Sequence, residues 1–183
     1  MRVALLIASL VAAAAGGTLA QTPAPPPAPT ITEPAQIAAI TVTHAGTYTG
    51  PATDRPAEAG QETPTRTIGT VSNWSFVSDS TTIDGKVGTQ FGVEFRIDGS
   101  PADEKVTLYL GLKFPPQGIR NPNTGDMLHA AKIAFPNMKI GALSVLGYGF
   151  DNAWEIVPGE WTLQLIYRDR VLAERNFTVS KPE

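Results

Sequence analysis

The stretch QFGVEFRIDGSPADEKVTLYLGLKF, residues 90–114, contains two runs in which apolar and polar residues alternate. The apolar sets are Phe91, Val93, Phe95 and Ile97 in the first run, and Val106, Leu108, Leu110, Leu112 and Phe114 in the second. Because successive side chains of a strand point to opposite faces, this alternation is typical of a strand with one buried face and one solvent face. Asp98-Gly99 lies between the runs as a turn signal. The stretch therefore predicts two strands of a half-buried sheet.

Other runs rich in β-branched and aromatic residues occur on both sides of this stretch. They predict strands at 40–49 and 67–78, and weaker strands at 127–135 and 144–150. No window of a dozen residues carries an apolar stripe of helical period bounded by caps. Short strands at steady spacing, without helices, predict an all-β antiparallel sandwich of about seven to eight strands.

The last strongly patterned segment, residues 158–179, predicts a closing hairpin that begins at the turn signal Pro158-Gly159. The alternation places these residues on the buried face: Trp161, Leu163, Leu165, Tyr167, Val171, Ala173, Phe177 and Val179. Arg175 falls among the buried positions. Its placement predicts either a side chain that reaches solvent at the sheet rim or a bulge that shifts the register.

The first twenty residues have the features of an export signal. Arg2 precedes an apolar run at 3–15, and Thr18 and Ala20 are the small residues before a predicted cut between Ala20 and Gln21. A membrane anchor is the alternative, but the run is shorter than the roughly 20 apolar residues that a spanning helix needs. We therefore predict a periplasmic or secreted protein without stable membrane insertion after cleavage.

Residues 21–36 read QTPAPPPAPTITEPAQ and contain six prolines. Because proline favours extended polyproline II, the segment predicts a disordered, semi-rigid spacer before a β-sandwich domain at 37–183. An inert leader is favoured over a stalk or a ligand for a proline-binding groove.

Charge and cysteine content exclude several function classes. Loss of Arg2 with the signal leaves 13 basic residues against 17 acidic ones, a net charge of −4 with histidine neutral. This balance predicts no binding to nucleic acid or to an anionic membrane surface. The chain has no cysteine, so the domain relies on its core and has no thiolate chemistry.

Two motifs carry a resemblance to a known family. GTQFG at 88–92 follows Ile83, and PGEW at 158–161 follows Glu155. In this order and spacing the chain resembles an uncharacterised bacterial family, a domain of unknown function, over most of residues 38–180. The resemblance implies an exported or envelope-associated β-sandwich, similar in outline to an immunoglobulin fold. It brings no catalytic residues with it.

Catalytic and metal-binding patterns are sparse. His44 and His129 lie on different predicted strands, and the chain has no H-E-x-x-H, G-x-S-x-G or P-loop motif. Loops 98–104 and 121–126 offer oxygen ligands, but they lack the spacing of an EF-type calcium loop and are interpreted as turns. We therefore predict no enzyme activity and no cofactor.

The candidate binding residues are Tyr148, Trp154 and Glu155, near the start of the last hairpin. If Trp154 is exposed, it could form a patch with Tyr148 and Phe150 that stacks on a sugar or anchors a partner. If Trp154 is buried, which is the favoured alternative, it caps the end of the sandwich. The nearby acidic residues Asp151, Glu155 and Glu160 are interpreted as a solvated loop, and a glycan hydrolase that uses them is the alternative.

Three functions follow from these patterns. The favoured one is a non-enzymatic, exported binding or accessory module of the bacterial cell envelope, which recognises an envelope protein or polysaccharide through a sheet edge or a loop end. The others are the glycan hydrolase and a purely structural domain.

Overall fold

The computed structural model describes residues 34–58 and 60–181. In this part of the chain, thirteen strands and a single 3-10 turn, Ala153–Glu155, are present and there is no α-helix. The same residues contain no helix long and apolar enough to cross a membrane. The predicted export signal lies outside the described residues, as does most of the predicted spacer, whose last residue, Gln36, already belongs to the first strand.

One main sheet has four strands, all antiparallel, in the order β11-β6-β1-β4. Their bounds are β1 Gln36–Thr49, β4 Ser75–Ser78, β6 Gln90–Ser100 and β11 Leu143–Gly149. Two register shifts in β1, at Ile37/Ala39 and Val42/His44, interrupt its pairing with β6. Gly46, Gly92 and Gly147 lie side by side across β1, β6 and β11.

The other main sheet has five strands in the order β10-β7-β12-β13-β5. Their bounds are β5 Thr82–Ile83, β7 Lys105–Lys113, β10 Ala130–Lys139, β12 Gly159–Tyr167 and β13 Arg170–Val179. All pairings are antiparallel except that of β13 with the two-residue strand β5, which is parallel. The predicted antiparallel architecture is thus correct apart from this one short edge.

Two small ribbons complete the described part of the chain. β2 (Ala52–Pro56) pairs with β3 (Thr67–Val71), and β8 (Ile119–Arg120) pairs with β9 (Met127–Leu128). The single strand predicted at 67–78 is therefore two strands. Asn73, in the left-handed region with a φ of 49°, turns the chain between them.

The two main sheets share one apolar core, to which both predicted faces of residues 90–114 contribute. The inward residues Phe91, Val93, Phe95 and Ile97 are at most 1% exposed. Phe91 lies at the centre of an aromatic cluster: its ring is 5.3 Å from that of Phe177 and 5.8 Å from that of Trp161, both on the opposite sheet. The predicted half-buried strands are confirmed, and the core holds the sheets face to face.

The closing hairpin differs from its prediction at one end. Trp161 is buried opposite Phe177, but Val171, predicted to face inward, is 48% exposed. A register shift between Leu165 and Ile166 makes Leu172 an extra residue, so Val171 pairs with Ile166 on the outer face. The shift ends before Arg175, which stays opposite Leu163, is exposed and donates a hydrogen bond to the carbonyl of Glu174 (2.7 Å).

Candidate functional site

The loop between β11 and β12, residues 150–158, holds the acidic and aromatic residues singled out from the sequence. Its 3-10 turn follows Asn152, whose backbone is extended. Oε1 of Glu155 accepts hydrogen bonds from the backbone N–H of Asn152 (2.7 Å) and from Nδ2 of the same residue (2.8 Å). This is the backward contact of a capping box, and it closes the loop on itself.

The other carboxylate oxygen of Glu155 binds a tyrosine. The hydroxyl of Tyr148 donates to Oε2 of Glu155 at 2.6 Å, and Glu155 is fully buried. The interpretation of the acidic residues as a solvated loop is therefore wrong for Glu155, although Asp151 and Glu160 are exposed. Donors from Tyr148 and Asn152 replace water at the buried carboxylate, which is what makes its burial tolerable.

The environment changes the proton affinity of both partners. Burial raises the pKa of Glu155 above its usual value of 4.5, and the hydrogen bonds from Tyr148 and Asn152 oppose that shift. Burial, and then the nearby negative charge of Glu155, raise the pKa of Tyr148 well above 10. Tyr148 therefore stays protonated and acts as a hydrogen-bond donor.

A cavity of about 110 Å³ lies beside this pair and reaches the β2–β3 ribbon. Three carboxylates line it, from Asp54, Asp151 and Glu155. The hydroxyl-bearing residues Thr63, Thr65 and Thr67 and the apolar residues Ile68, Leu110, Ile133 and Phe135 also line it. Within the described residues, no lysine, arginine or histidine is part of the lining, so the cavity is acidic and uncompensated.

Two further observations describe the polar side of this cavity. Although Asp151 is exposed, its carboxyl is partly shielded from water. This shielding raises its pKa, and the negative charge of Asp54 raises it further. Oε1 of Gln90, which lines the same cavity, is buried and accepts no hydrogen bond from the described residues. The cavity thus offers acceptors and lacks a positively charged donor. Asp54 and Gln90 were not singled out from the sequence, because only the fold brings them near residues 148–155. The β2–β3 ribbon positions Asp54, and the pairing of β6 with β11 places Gln90 opposite Gly149.

The aromatic residues of the loop region do not form one exposed patch. Phe150 is fully buried, with its ring 5.5 Å from that of Phe91 and 5.6 Å from that of Trp161. Tyr148 and Trp154 are half-buried, and both pack against the core. Trp154 therefore packs against the core with part of its side chain exposed, which lies between the buried and the exposed alternatives.

The histidines lie apart from this cavity. His44 is on the outer face of the four-stranded sheet, where its Nδ1 is 2.8 Å from Oδ1 of Asp79 and its ring stacks on Phe76 at 5.3 Å. His129 is exposed between β9 and β10. Across residues 34–58 and 60–181, no group of three histidine or acidic side chains is placed to hold a metal ion.

The two oxygen-rich loops use their side chains in turns and ion pairs. Asn121 accepts from the backbone N–H of Asn123 (2.8 Å), and Asp126 pairs with Arg66 (2.7 Å). In the other loop, Oδ1 of Asp98 accepts a hydrogen bond from Nε of Arg96 at 2.9 Å. The interpretation as a turn is correct for residues 121–126. It is wrong for Asp98-Gly99, because residues 98–100 continue β6 and the chain turns only at 101–104.

Comparison with known proteins agrees with the two-sheet architecture described above. The solved structure of an immunoglobulin-like protein from Pseudomonas aeruginosa matches with a TM-score of 0.53 over 82% of this chain and 99% of that chain. The two sequences are 22% identical, so this likeness shows the fold alone. The domain is thus an immunoglobulin-like β-sandwich.

The family follows from a match in sequence. The model of a domain of unknown function, DUF3859, matches residues 38–179, and the chain belongs to this family. The resemblance drawn from GTQFG and PGEW is therefore confirmed. No curated protein matches the chain.

Proposed function

We propose that the chain is a non-enzymatic, exported binding module of the bacterial cell envelope, and that the cavity beside Glu155 receives a protonated amine of its ligand. One observation carries the proposal: three carboxylates surround a single cavity that has no basic side chain in its described lining. A positively charged donor satisfies such a site best, because it pairs with the carboxylates and lowers the cost of keeping them ionised.

The shape and lining of the cavity indicate the size of the group it receives. A volume of about 110 Å³ suits the end of an alkylamine rather than a whole sugar or peptide. Leu110, Ile133 and Phe135 provide an apolar wall for the methylenes, while Gln90 and the threonines offer further acceptors for the ammonium group. The ligand class is therefore a primary amine on a short aliphatic stem, as part of an envelope protein or polymer.

Binding is favoured over hydrolysis by the use already made of Glu155. Its two oxygens accept hydrogen bonds from Tyr148 and Asn152, so the carboxylate already stabilises the loop and is not free to act on a substrate. Glu160, the third carboxylate considered for hydrolysis, is exposed and outside the cavity lining. The export and envelope location rest on the signal predicted at 1–20.

The test uses propylammonium as the probe and 1-propanol as its neutral counterpart. We expect propylammonium to shift amide NMR signals of Gly147 and Gly149, which line the cavity, and 1-propanol to leave them unchanged. Asp151→Asn should weaken this response at least fivefold, whereas Glu160→Gln, outside the cavity, should not. Equal responses to both probes, or an unchanged response in Asp151→Asn, would overturn the proposal.

Hydrolysis of an envelope glycan remains the second candidate, because shielding from water raises the pKa of both Glu155 and Asp151, as a general acid requires. The purified protein would be incubated with cell-wall glycan and the release of reducing ends measured. Release that disappears in both Glu155→Gln and Asp151→Asn would favour hydrolysis over amine binding.

A further inference from the structure

Lysine is distributed unevenly over the molecule. Four of the six lysines of the chain lie on two neighbouring strands, β7 and β10, of the five-stranded sheet: Lys105, Lys113, Lys132 and Lys139. All four are exposed on the outer face, opposite the buried set of each strand. We name this surface the lysine face. It is basic although the whole chain has a net charge of −3.

The strand register places these lysines in two groups. Lys105 lies directly opposite Lys139, and these two lysines form the first group. Lys113 pairs with Ala130 and Lys132 pairs with Gly111, so Lys113 and Lys132 lie diagonally across the two strands and form the second group, the Lys132 group. Gly111 is six positions after Lys105 in β7, so the two groups are roughly 20 Å apart along the strands. The bulge between Phe135 and Met138 is what brings Lys139 opposite Lys105.

This arrangement works against the stability of the sheet. Like charges directly opposite on neighbouring strands repel each other, and a carboxylate at either position would be favourable. In the described part of the chain Lys132 pairs with Asp169 (3.0 Å), and the other three lysines form no ion pair. The β12 residues that pair with β7 and point to this face, Thr162, Gln164 and Ile166, are uncharged. Carboxylates lie beyond them, on Glu160 of the same strand and on Glu174 of β13, which accepts a hydrogen bond from Gln164.

Protection of a sheet edge accounts for only half of the lysine face. β10 is an edge strand, and lysine on an edge discourages pairing with another chain, which explains Lys132 and Lys139. β7 is an inner strand with partners on both sides, so Lys105 and Lys113 protect no edge. Their charge calls for another explanation.

The surface between the two groups is concave. A hollow of about 730 Å³ is lined by Lys105, Lys132 and Arg168, with Asp169 as its carboxylate. Aromatic rings support two of the cations: Nζ of Lys132 is 4.8 Å from the ring centroid of Tyr109, and Cζ of Arg168 is 5.0 Å from that of Tyr167. The lining of the hollow therefore contains three cationic side chains and one carboxylate.

We propose that the lysine face docks a linear anionic polysaccharide, whose acidic groups contact the Lys105–Lys139 group and the Lys132 group while the chain runs through the hollow. Charge complementarity carries the assignment, because an anionic partner relieves the repulsion between Lys105 and Lys139. The distance of about 20 Å between the two cationic groups exceeds the length of a small ligand and fits a polymer. A concave surface also suits a chain better than a flat lipid layer. This site is separate from the cavity beside Glu155.

The experiment measures binding of polygalacturonate fragments to the purified protein by isothermal titration calorimetry at low ionic strength, with dextran as the neutral polymer. We expect binding to polygalacturonate alone, and a loss of affinity when the salt concentration rises. Lys105→Glu/Lys139→Glu should weaken it at least tenfold. Lys86→Glu/Lys181→Glu makes the same change of net charge outside the lysine face, and should change affinity less than twofold.

A single substitution separates docking from a structural role. Lys105→Glu places opposite charges across the strands at Lys139, so it should raise the melting temperature while it weakens polygalacturonate binding. Equal weakening in the Lys86/Lys181 control, or binding of a DNA oligonucleotide or of anionic phosphatidylglycerol vesicles at least as tight as that of polygalacturonate, would overturn the proposal.

Discussion

The hydroxyl of Tyr148 lies 2.6 Å from a carboxylate oxygen of Glu155, and that carboxylate is fully buried. Tyr148 also packs against the core, since its ring is 5.1 Å from the ring of Trp161. One side chain thus joins the packed interior to the loop 150–158. The position of that loop, and with it the acidic wall of the cavity, depends on this contact.

Removal of the Tyr148 hydroxyl should destabilise the protein. Tyr148→Phe leaves Oε2 of Glu155 buried without its donor, so we expect the free energy of unfolding at neutral pH to fall by about 1.5–3 kcal/mol. Urea denaturation measures the change. Tyr167→Phe is the matched control, because its hydroxyl donates to the carbonyl of Ala35 over a longer distance, 3.3 Å. An equal effect in both variants would contradict the role assigned to Tyr148.

The pH dependence of the free energy of unfolding should reflect the titration of Glu155. Since its folded pKa is raised above 4.5, its favourable contribution is complete below that value and is lost as the pH rises through the folded pKa. Compared with Glu155→Gln, the wild-type protein should therefore lose stability between about pH 4.5 and the folded pKa, with a plateau above it. Urea denaturation of both proteins from pH 4 to pH 8 measures this difference. A constant difference across the range would show that the pKa of Glu155 is not raised.

His44 should titrate above its ordinary pKa of 6.5. The hydrogen bond that the imidazole N–H donates to Asp79 raises the pKa of His44, with smaller contributions from the charges of Asp79 and Glu94. NMR titration of the His44 ring protons should give a raised value that Asp79→Asn returns toward 6.5. A value for His44 that does not fall in Asp79→Asn would contradict this assignment.

Gly92 should not tolerate a side chain. A Cβ at this position would lie 2.3 Å from the carbonyl oxygen of Leu146, a backbone atom of β11 that cannot move without loss of pairing. We expect Gly92→Ala to lower the free energy of unfolding by about 1–3 kcal/mol. Gly149→Ala, where the nearest atom is a flexible side-chain carbon of Gln90 at 3.5 Å, should be nearly neutral. Thermal denaturation of the two variants tests the contrast.

Alternation in the sequence was sufficient to predict the long strands and the core. Phe91, Leu110 and Leu163 are all at most 2% exposed, as the period of two predicts. The short strands could not be predicted in this way, because β5 has only two residues and owes its structure to pairing with β13. Val171 was predicted on the wrong face for a related reason. The bulge adds one residue to β13, and the alternation of apolar and polar residues does not indicate it.

The candidate site was only partly visible in the sequence. Tyr148, Trp154 and Glu155 are near one another along the chain, so their proximity was expected. The burial of Glu155 was not, because it depends on a loop that folds back onto its own carboxylate. Asp54 reaches the same cavity through the β2–β3 ribbon, and no local pattern links it to Asp151.

The three tryptophans lie at three separate places in the sandwich, and only one of them is fully buried. Trp161 is 1% exposed in the core and donates a hydrogen bond to the carbonyl of Val157 (2.9 Å). Trp154 is half-buried on the end loop, and Trp74 is half-buried where its indole donates to Glu94 (2.9 Å). Replacing Trp74 and Trp154 by phenylalanine would leave a single emitter between the sheets. Its fluorescence spectrum would then report separation of the two layers without an added dye.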